Sequence, residues 1–379
     1  MSGARVLILG GGFGGLTVAH TLKQTAPTAE LLVVDQSPDF VMGLRKLWTL
    51  DGRSSPGDGT RPRSALQRLG IPFRQDTVQA IDLDRRSVRV GSDDLPWDFL
   101  VIALGAQGRP DLIPGGLGDN PDMYTFEGAA QGAARLNEIR EGRIAIVIAG
   151  LPIKCPPAPY EAAMLVDGML RRMQRRAQVR VEVITPQPMS IPAAGVVACN
   201  SVEDQLQGRD IDFRPNAKIV RVEKGRVVLE GETVSADLLL VVPPHRPPNP
   251  VQQSGLTGDG AWIQVDPATL ATPHEGVFAI GDVVEMKTGA GLPFPKAGVF
   301  AERHGQVVGE NIAAQINGSQ PAATFEGDGY CFLEVGDGEA SSVRGNFLAN
   351  PPSVTIADPS EATLEAKHLF EEERLARWF

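Results

Sequence analysis

The chain has 379 residues and a net charge of −10, from 36 basic against 46 acidic side chains. That balance argues against a general nucleic-acid binder, because neutralising phosphates needs a basic surface. No apolar run approaches the roughly 18 residues of a membrane span, and the length allows two or three domains. Near the start only Val6 to Leu9 are continuously apolar before glycines intervene, so no export signal is expected. The expected location is cytoplasmic, either soluble or peripherally associated with a membrane. Cys155, Cys199 and Cys331 are too few for a disulfide framework and lack the short spacings of a zinc site, so no metal is expected.

Arg5 to Leu9 reads as a buried parallel strand. Gly10-Gly11-Gly12-Phe13-Gly14-Gly15 follows and opens an apolar helix, Leu16 to Leu22. Glu30 to Val34 is the next strand, with Asp35 at its end. Together these form a dinucleotide fingerprint in its proper context. Gly10 permits the tight turn, Gly12 admits the pyrophosphate, Gly15 lets the helix pack on the sheet, and Asp35 accepts ribose hydroxyls. Pro38 to Pro72 is mixed and loop-rich, with Trp48 and a Gly/Ser/Pro tract from Gly52 to Gly59. Val78 to Val90 alternates like a hairpin, and Asp98 to Ala106 is a strand running into a glycine turn at Ala103-Leu104-Gly105.

A second βαβ pattern follows: strand Arg143 to Ala149, helix Pro159 to Ala177, strand Val179 to Thr185. Its turn carries Lys154-Cys155-Pro156-Pro157-Ala158-Pro159-Tyr160-Glu161 instead of a glycine fingerprint. Proline has no N–H to offer a pyrophosphate, so this domain should lack a nicotinamide site. Arg171, Arg172, Arg175 and Arg176 close the helix, where cations favour its dipole. Cys199 reads as a small buried hydrophobe. Gly276 to Asp282 is a strand ending in the Gly281-Asp282 pair. Phe294-Pro295-Lys296-Ala297-Gly298-Val299-Phe300 precedes an apolar helix reaching Ile316. Tyr330-Cys331-Phe332-Leu333 leads into Gly336-Asp337-Gly338, and Glu361 to Phe379 forms a last helix with an imperfect stripe of Leu364, Leu375, Trp378 and Phe379. That helix is expected to pack on the body.

The fingerprint, the Asp98 to Ala106 strand and the Gly281-Asp282 pair resemble the FAD-binding set of two-dinucleotide-binding-domain flavoproteins. The implied fold is α/β, with two Rossmann-like domains of the glutathione-reductase type plus a small C-terminal α+β segment. The FAD-binding domain would comprise residues 1–110 and 246–322, the degenerate second domain 111–245, and the C-terminal segment 323–379. The resemblance implies FAD held by Gly10, Gly12, Phe13, Gly14, Gly15, Asp35, Ala103, Gly105, Gly281, Asp282 and Lys296. Leu104 stands where threonine is usual.

The cysteine–proline motif and the Cys331 segment resemble sulfide:quinone oxidoreductases and the flavoprotein subunit of flavocytochrome c sulfide dehydrogenase. This resemblance covers essentially the whole chain. It implies a redox pair of Cys155, which accepts sulfur, and Cys331, which faces the flavin. Glu161 is implied as acid/base, and Lys296 lies near the flavin's pyrimidine edge, where it could stabilise negative charge. The expected reaction is oxidation of sulfide or a small thiol to zero-valent sulfur, with electrons leaving to a quinone. Transfer to a cytochrome, an NAD(P)H-dependent flavin reductase and a redox-sensing flavoprotein are the alternatives. Peripheral membrane contact and a homodimer are left open. The chain departs from many quinone-linked members in having no cysteine before Cys155 and only 48 residues after Cys331.

Overall fold

The computed structural model describes residues 3–379 except Pro56, so that one position of the Gly52 to Gly59 tract lies outside the described residues. Two parallel sheets organise the chain. The first has five strands in the order Val277–Ala279, Phe99–Ile102, Arg5–Leu9, Glu30–Asp35, Phe73–Gln75, all parallel. Its central strands are fully buried, as continuous apolar runs in a parallel sheet must be when helices cover both faces. Phe13–Thr25 and Gly298–Ile316 cover one face and cross closely. A Cβ on Gly305 would lie 2.5 Å from the Gly14 carbonyl oxygen, so only glycine allows that approach.

The second sheet has four parallel strands, ordered Ile211–Arg214, Val179–Ile184, Gly142–Ile148, Leu238–Val242. Helix Ala158–Arg172 is buried along nearly its whole length against it. That helix stops short of the expected Ala177, because Gln174 turns left-handed at φ 57° and the chain resumes as a 3-10 turn at Arg176–Gln178. Arg176 and Arg209 instead converge on the fully buried Asp167 carboxylate, with Arg171 joining from the surface. Two of the four arginines, Arg171 and Arg176, thus serve with Arg209 as a structural clamp on Asp167.

The expected hairpin after Val78 has a third strand: Val78–Asp82, Ser87–Val90 and Asp93–Pro96 form an antiparallel meander. The stretch read as loop from Pro38 to Pro72 contains a short helix, Arg45–Leu50, and a 3-10 helix, Arg63–Leu69. At the C-terminus, Asp328–Gly336, Glu339–Asn346 and Ser353–Ile356 make an antiparallel sheet. The last helix, Glu361–Trp378, begins at Ser360, whose hydroxyl accepts the Thr363 N–H at 3.2 Å.

This helix packs on the body, yet its buried face is largely ionic. Lys367, Glu371 and Arg374 are all buried beside Phe370, Leu375 and Trp378. Arg45 grips Glu371 through two contacts of 2.6 Å, and Arg374 meets Glu302 at 2.9 Å. Trp378 seals against Phe13 and Phe40, with ring centroids 5.1 and 5.6 Å away. No helix among the described residues is long and apolar enough to cross a membrane.

Candidate active site

The first strand ends in a cradle that suits a dinucleotide. Gly10 adopts φ 103°, and a Cβ there would fall 2.3 Å from the Ala103 carbonyl oxygen. A Cβ on Gly15 would fall 1.9 Å from the Gly10 carbonyl, so the helix can enter here only on glycines. Gly12, by contrast, faces open space, and helix Phe13–Thr25 starts with no side-chain cap. Uncapped N–H groups at a helix start, with nothing filling the approach, are what a pyrophosphate requires. Gly14 packs on Ile280 and Ala301, while the Phe13 ring turns toward Phe40, Phe370 and Trp378. Asp35 accepts the Gly11 N–H at 2.7 Å and the Ser37 N–H at 2.9 Å.

Arg63 is a residue the sequence reading missed. Its guanidinium donates to the Gly11 carbonyl at 3.0 Å and faces Asp35 at 3.5 Å, covering the far end of the cradle. Burial lowers its pKa, against the pull of Asp35. It comes from the stretch read as loop, where no periodicity marks it.

At the other end of the cradle, Gly281 (φ 73°) turns the chain so that its N–H meets His304 Nδ1 at 3.2 Å. One carboxylate oxygen of the adjacent Asp282 is buried without a partner. A buried orphan acceptor normally signals a missing donor, and hydroxyls of a ribityl chain would supply one. Gly105 (φ 65°) opens onto free space on the facing strand end. Lys296 lies across from these groups. Its Nζ donates to the Asp282 and Val284 carbonyls, each at 2.9 Å, and sits 3.5 Å from the Trp262 ring centroid. Burial pushes its pKa down to about 8, with Asp282 pulling the other way. Helix Gly298–Ile316 starts just beyond it, again without a side-chain cap. These residues fit a flavin dinucleotide at both ends.

The second nucleotide turn lacks glycine donors: Pro244 packs beside Gly150, and Pro157 and Pro159 withhold N–H groups from the start of helix Ala158–Arg172. The turn brings Cys155 to the flavin end of the cradle instead. Cys155 is held at φ 46°, a left-handed conformation costly for any residue with a Cβ. Two bonds fix it there: its N–H donates to the Lys296 carbonyl at 2.6 Å, and the Tyr124 hydroxyl donates to its carbonyl at 3.1 Å.

Cys331, on the Asp328–Gly336 strand, comes beside Cys155 with both thiols free, and its Sγ donates to the Phe332 carbonyl at 3.5 Å. The neighbouring Cys331 thiol lowers the pKa of Cys155 against the effect of burial. The same neighbour relation, with burial, drives Cys331 well up. Cys155 is thus the more acidic of the two, placed just before a helix N-terminus that also favours the anion. Cys199 is buried elsewhere, and burial raises its pKa.

Glu161 is buried behind Cys155 and paired with Lys367 of the last helix. Lys367 also meets Glu334 at 3.0 Å, and Glu334 accepts the Trp48 indole N–H at 2.9 Å and Arg53 at 2.6 Å. Burial raises the Glu161 pKa in spite of Lys367. Glu334 goes the other way: burial is outweighed by Lys367 and Arg53, and its pKa falls. The two carboxylates thus hold protons with different strengths across one lysine. Lys367 and Glu334 were not found from sequence, because each lies on an element far along the chain from Cys155, and Tyr124, 31 residues before it, sits in a turn outside the βαβ unit.

Beside the thiols lies an apolar pocket of about 410 Å³. Ile191, Trp262, Phe294 and Phe347 wall it, and Cys331 and Lys296 lie on its lining.

Residues 4–305 match the family model described as pyridine nucleotide-disulphide oxidoreductase. The mouse mitochondrial sulfide:quinone oxidoreductase is 24% identical over 94% of this chain and 81% of its own length. The sulfide-quinone reductase of Aquifex aeolicus is 24% identical over 91% and 83%. An Arabidopsis thaliana alternative NAD(P)H-ubiquinone oxidoreductase is 25% identical over 85% and 69%. The crystal structure of the Aquifex aeolicus sulfide:quinone oxidoreductase superposes with a TM-score of 0.89 at 23% identity, covering 99% of this chain and 91% of that one. Matched to the family model over most of its length, and built on the two parallel sheets described above, the chain belongs to the pyridine nucleotide-disulphide oxidoreductase family and is an oxidoreductase.

Proposed function

We propose that this chain binds FAD and oxidises sulfide to zero-valent sulfur at Cys155 and Cys331, with a quinone as the final electron acceptor. One observation carries the reading. Two neighbouring thiols stand at the Lys296 end of the cradle, and the turn that carries Cys155 has prolines in place of the N–H groups a nicotinamide pyrophosphate needs. The names of the mouse and Aquifex aeolicus relatives support sulfide and quinone as the reactants.

The cycle starts from the oxidised pair. Hydrosulfide attacks the disulfide at the Cys155 sulfur, forming one S–S bond and breaking another. Cys155 becomes a persulfide and Cys331 a thiolate. A second hydrosulfide takes the outer sulfur as a hydropolysulfide anion and returns Cys155 to the thiol. FAD, held by the glycine cradle, Asp282 and Lys296, would supply the two-electron acceptor between the thiols and the quinone. Re-forming the disulfide releases two electrons and one proton, leaving the thiols and hydrosulfide oxidised and the quinone reduced.

The protein's own groups manage the protons and charges. Glu161, its pKa raised by burial, takes the proton released at Cys155, while the charged Lys367, braced by Glu334, holds it in place. Lys296 and the uncapped start of helix Gly298–Ile316 offset negative charge at the pyrimidine edge. The apolar pocket suits the lipophilic reactant of the cycle, the quinone ring, beside the thiols.

The test is anaerobic bleaching of the bound flavin by sulfide and, separately, by NADH. The wild type should bleach with sulfide and not with NADH, while Cys155→Ser and Cys331→Ser should lose the sulfide response. Bleaching by NADH in all three proteins would sink the proposal.

A further inference from the structure

The two cysteines sit at the same end of two elements that run side by side. Helix Ala158–Arg172 follows the Cys155 turn, and strand Asp328–Gly336 carries Cys331. Contacts between the two proceed in step. Cys155 stands beside Cys331, and Glu161 joins Glu334 through Lys367. Asp167 then joins Asp337 through Arg209, whose Nη1 lies 3.3 Å from the first carboxylate and 2.8 Å from the second. Cys155, Glu161 and Asp167 are spaced six residues apart, and Cys331, Glu334 and Asp337 three apart. Six residues of helix rise about 9 Å and three of strand about 10 Å, so the pins match along both elements. Between the last two pins the backbones touch: a Cβ on Gly336 would lie 3.0 Å from the Met164 carbonyl oxygen.

Asp167 has more cations than its charge requires. It is fully buried, and Arg171 and Arg176 already meet it. Arg209 alone also reaches the strand end, where Asp337 stands in a left-handed turn at φ 56° between Gly336 and Gly338. We propose that Arg209 is a positioning residue for the thiol pair. By bridging Asp167 to Asp337 it fixes the register of helix against strand, and so holds Cys155 and Cys331 at the distance a disulfide needs. This rests on the reading of Cys155 and Cys331 as a redox pair. A disulfide requires its two Cβ atoms about 3.5–4.5 Å apart, and a slide of one element past the other by about 1 Å leaves that window. Close-packed elements transmit strain, so a hold at the far end acts on the near one. The middle pin does not set the register by itself, because Lys367 reaches it from a third element, the last helix.

The experiment equilibrates the flavin-loaded protein anaerobically in glutathione buffers, quenches it with acid, and determines free and paired Cys155 and Cys331 by mass spectrometry. Oxidised glutathione takes two electrons and the two thiol protons through a mixed disulfide, leaving the intramolecular disulfide and two reduced glutathiones. Asp337→Asn keeps the left-handed turn, which asparagine tolerates, and removes one charge of the bridge. It should shift the equilibrium toward the dithiol by roughly threefold, the size set by a half-exposed ion pair. Arg209→Met breaks both contacts while Asp167 keeps Arg171 and Arg176, so the protein should fold. Its shift toward the dithiol should be about tenfold, as for members of one ionic network. Arg209→Lys, which restores a cation, should recover most of that loss. Asp212→Asn breaks the exposed pair with Arg180 on the same domain and should shift nothing. A wild-type equilibrium in Arg209→Met overturns the proposal, as does a shift toward the disulfide or an equal shift in Asp212→Asn. A wild type that forms no Cys155–Cys331 disulfide in any buffer would instead remove the redox pair itself, and the proposed function with it.

Discussion

The thiols of Cys155 and Cys331, 176 positions apart in the chain, lie side by side, and that proximity divides their acidities. Burial works against a thiolate at either position, so the neighbouring Cys331 is the leading reason Cys155 ionises below its usual range. Cys331→Ala should therefore move the pH profile of Cys155 alkylation to higher pH, with burial and Glu161 then opposed only by Lys367. Cys331→Ser keeps a hydroxyl donor and should move it less. Alkylation rates followed by mass spectrometry on Cys155 would check this; identical profiles in all three proteins would mean the pair is not coupled.

Lys367 sits between Glu161 and Glu334 with all three side chains buried. Burial alone would lower the Lys367 pKa, but the two carboxylates overcome it and raise it. Removing the lysine would leave two buried carboxylates facing each other, so Lys367→Met should cost about 3–5 kcal/mol in urea unfolding. Glu161→Gln should cost less, because Glu334 still balances Lys367. The same substitution should slow sulfide-driven flavin reduction by roughly 100-fold. Glu334 adds a pH dependence. Its folded pKa lies below the unfolded value, so its stabilisation is present above the ordinary Glu range and is lost as pH falls through the lowered pKa. Glu334→Gln should flatten the acid limb of the stability profile.

The two nucleotide-type βαβ units were legible in the sequence because each is local: an apolar run, a turn of glycines or prolines, then a helix. The proline character of the second turn could be read for the same reason, since Pro157 and Pro159 act through their own missing N–H groups. What could not be read depends on distant partners. Arg63 finds Gly11 and Asp35 from a stretch with no period. Tyr124 reaches the Cys155 carbonyl from outside the βαβ unit altogether. The last helix shows the limit most plainly. Its buried face is Lys367, Glu371 and Arg374, whose counterions Glu161, Arg45 and Glu302 lie on three other helices, so a search for an apolar stripe finds only an imperfect one.

Lys296 supplies a second pH signature. Burial brings its pKa to about 8, so its charge is lost as pH rises through that value. If its cation offsets negative charge in the reduced site, sulfide turnover should decline above pH 8 in the wild type. Lys296→Met should be slower at neutral pH and should lack that inflection. A variant that keeps the inflection would assign it to another group, and the buried Lys46, also lowered to about 8 by burial and by Lys154, is the one to replace next.

Tyr124 holds the strained Cys155 from the other side. Its hydroxyl donates to the Cys155 carbonyl at 3.1 Å, and its ring packs on His245 with centroids 5.2 Å apart. Tyr124→Phe keeps the packing and deletes only the donor. A neutral hydrogen bond of this kind contributes about 0.5–1.5 kcal/mol, and without it the left-handed Cys155 is held by its N–H bond to Lys296 alone. The expected result is a small loss of stability, of about that size, joined to a larger loss in the rate of flavin reduction by sulfide. The two effects separate positioning from folding: Tyr124→Phe should unfold almost where the wild type does in urea, yet its reduction rate should not recover at saturating sulfide. A rate that does recover would show that Tyr124 shapes sulfide binding and leaves the geometry of the attack unchanged.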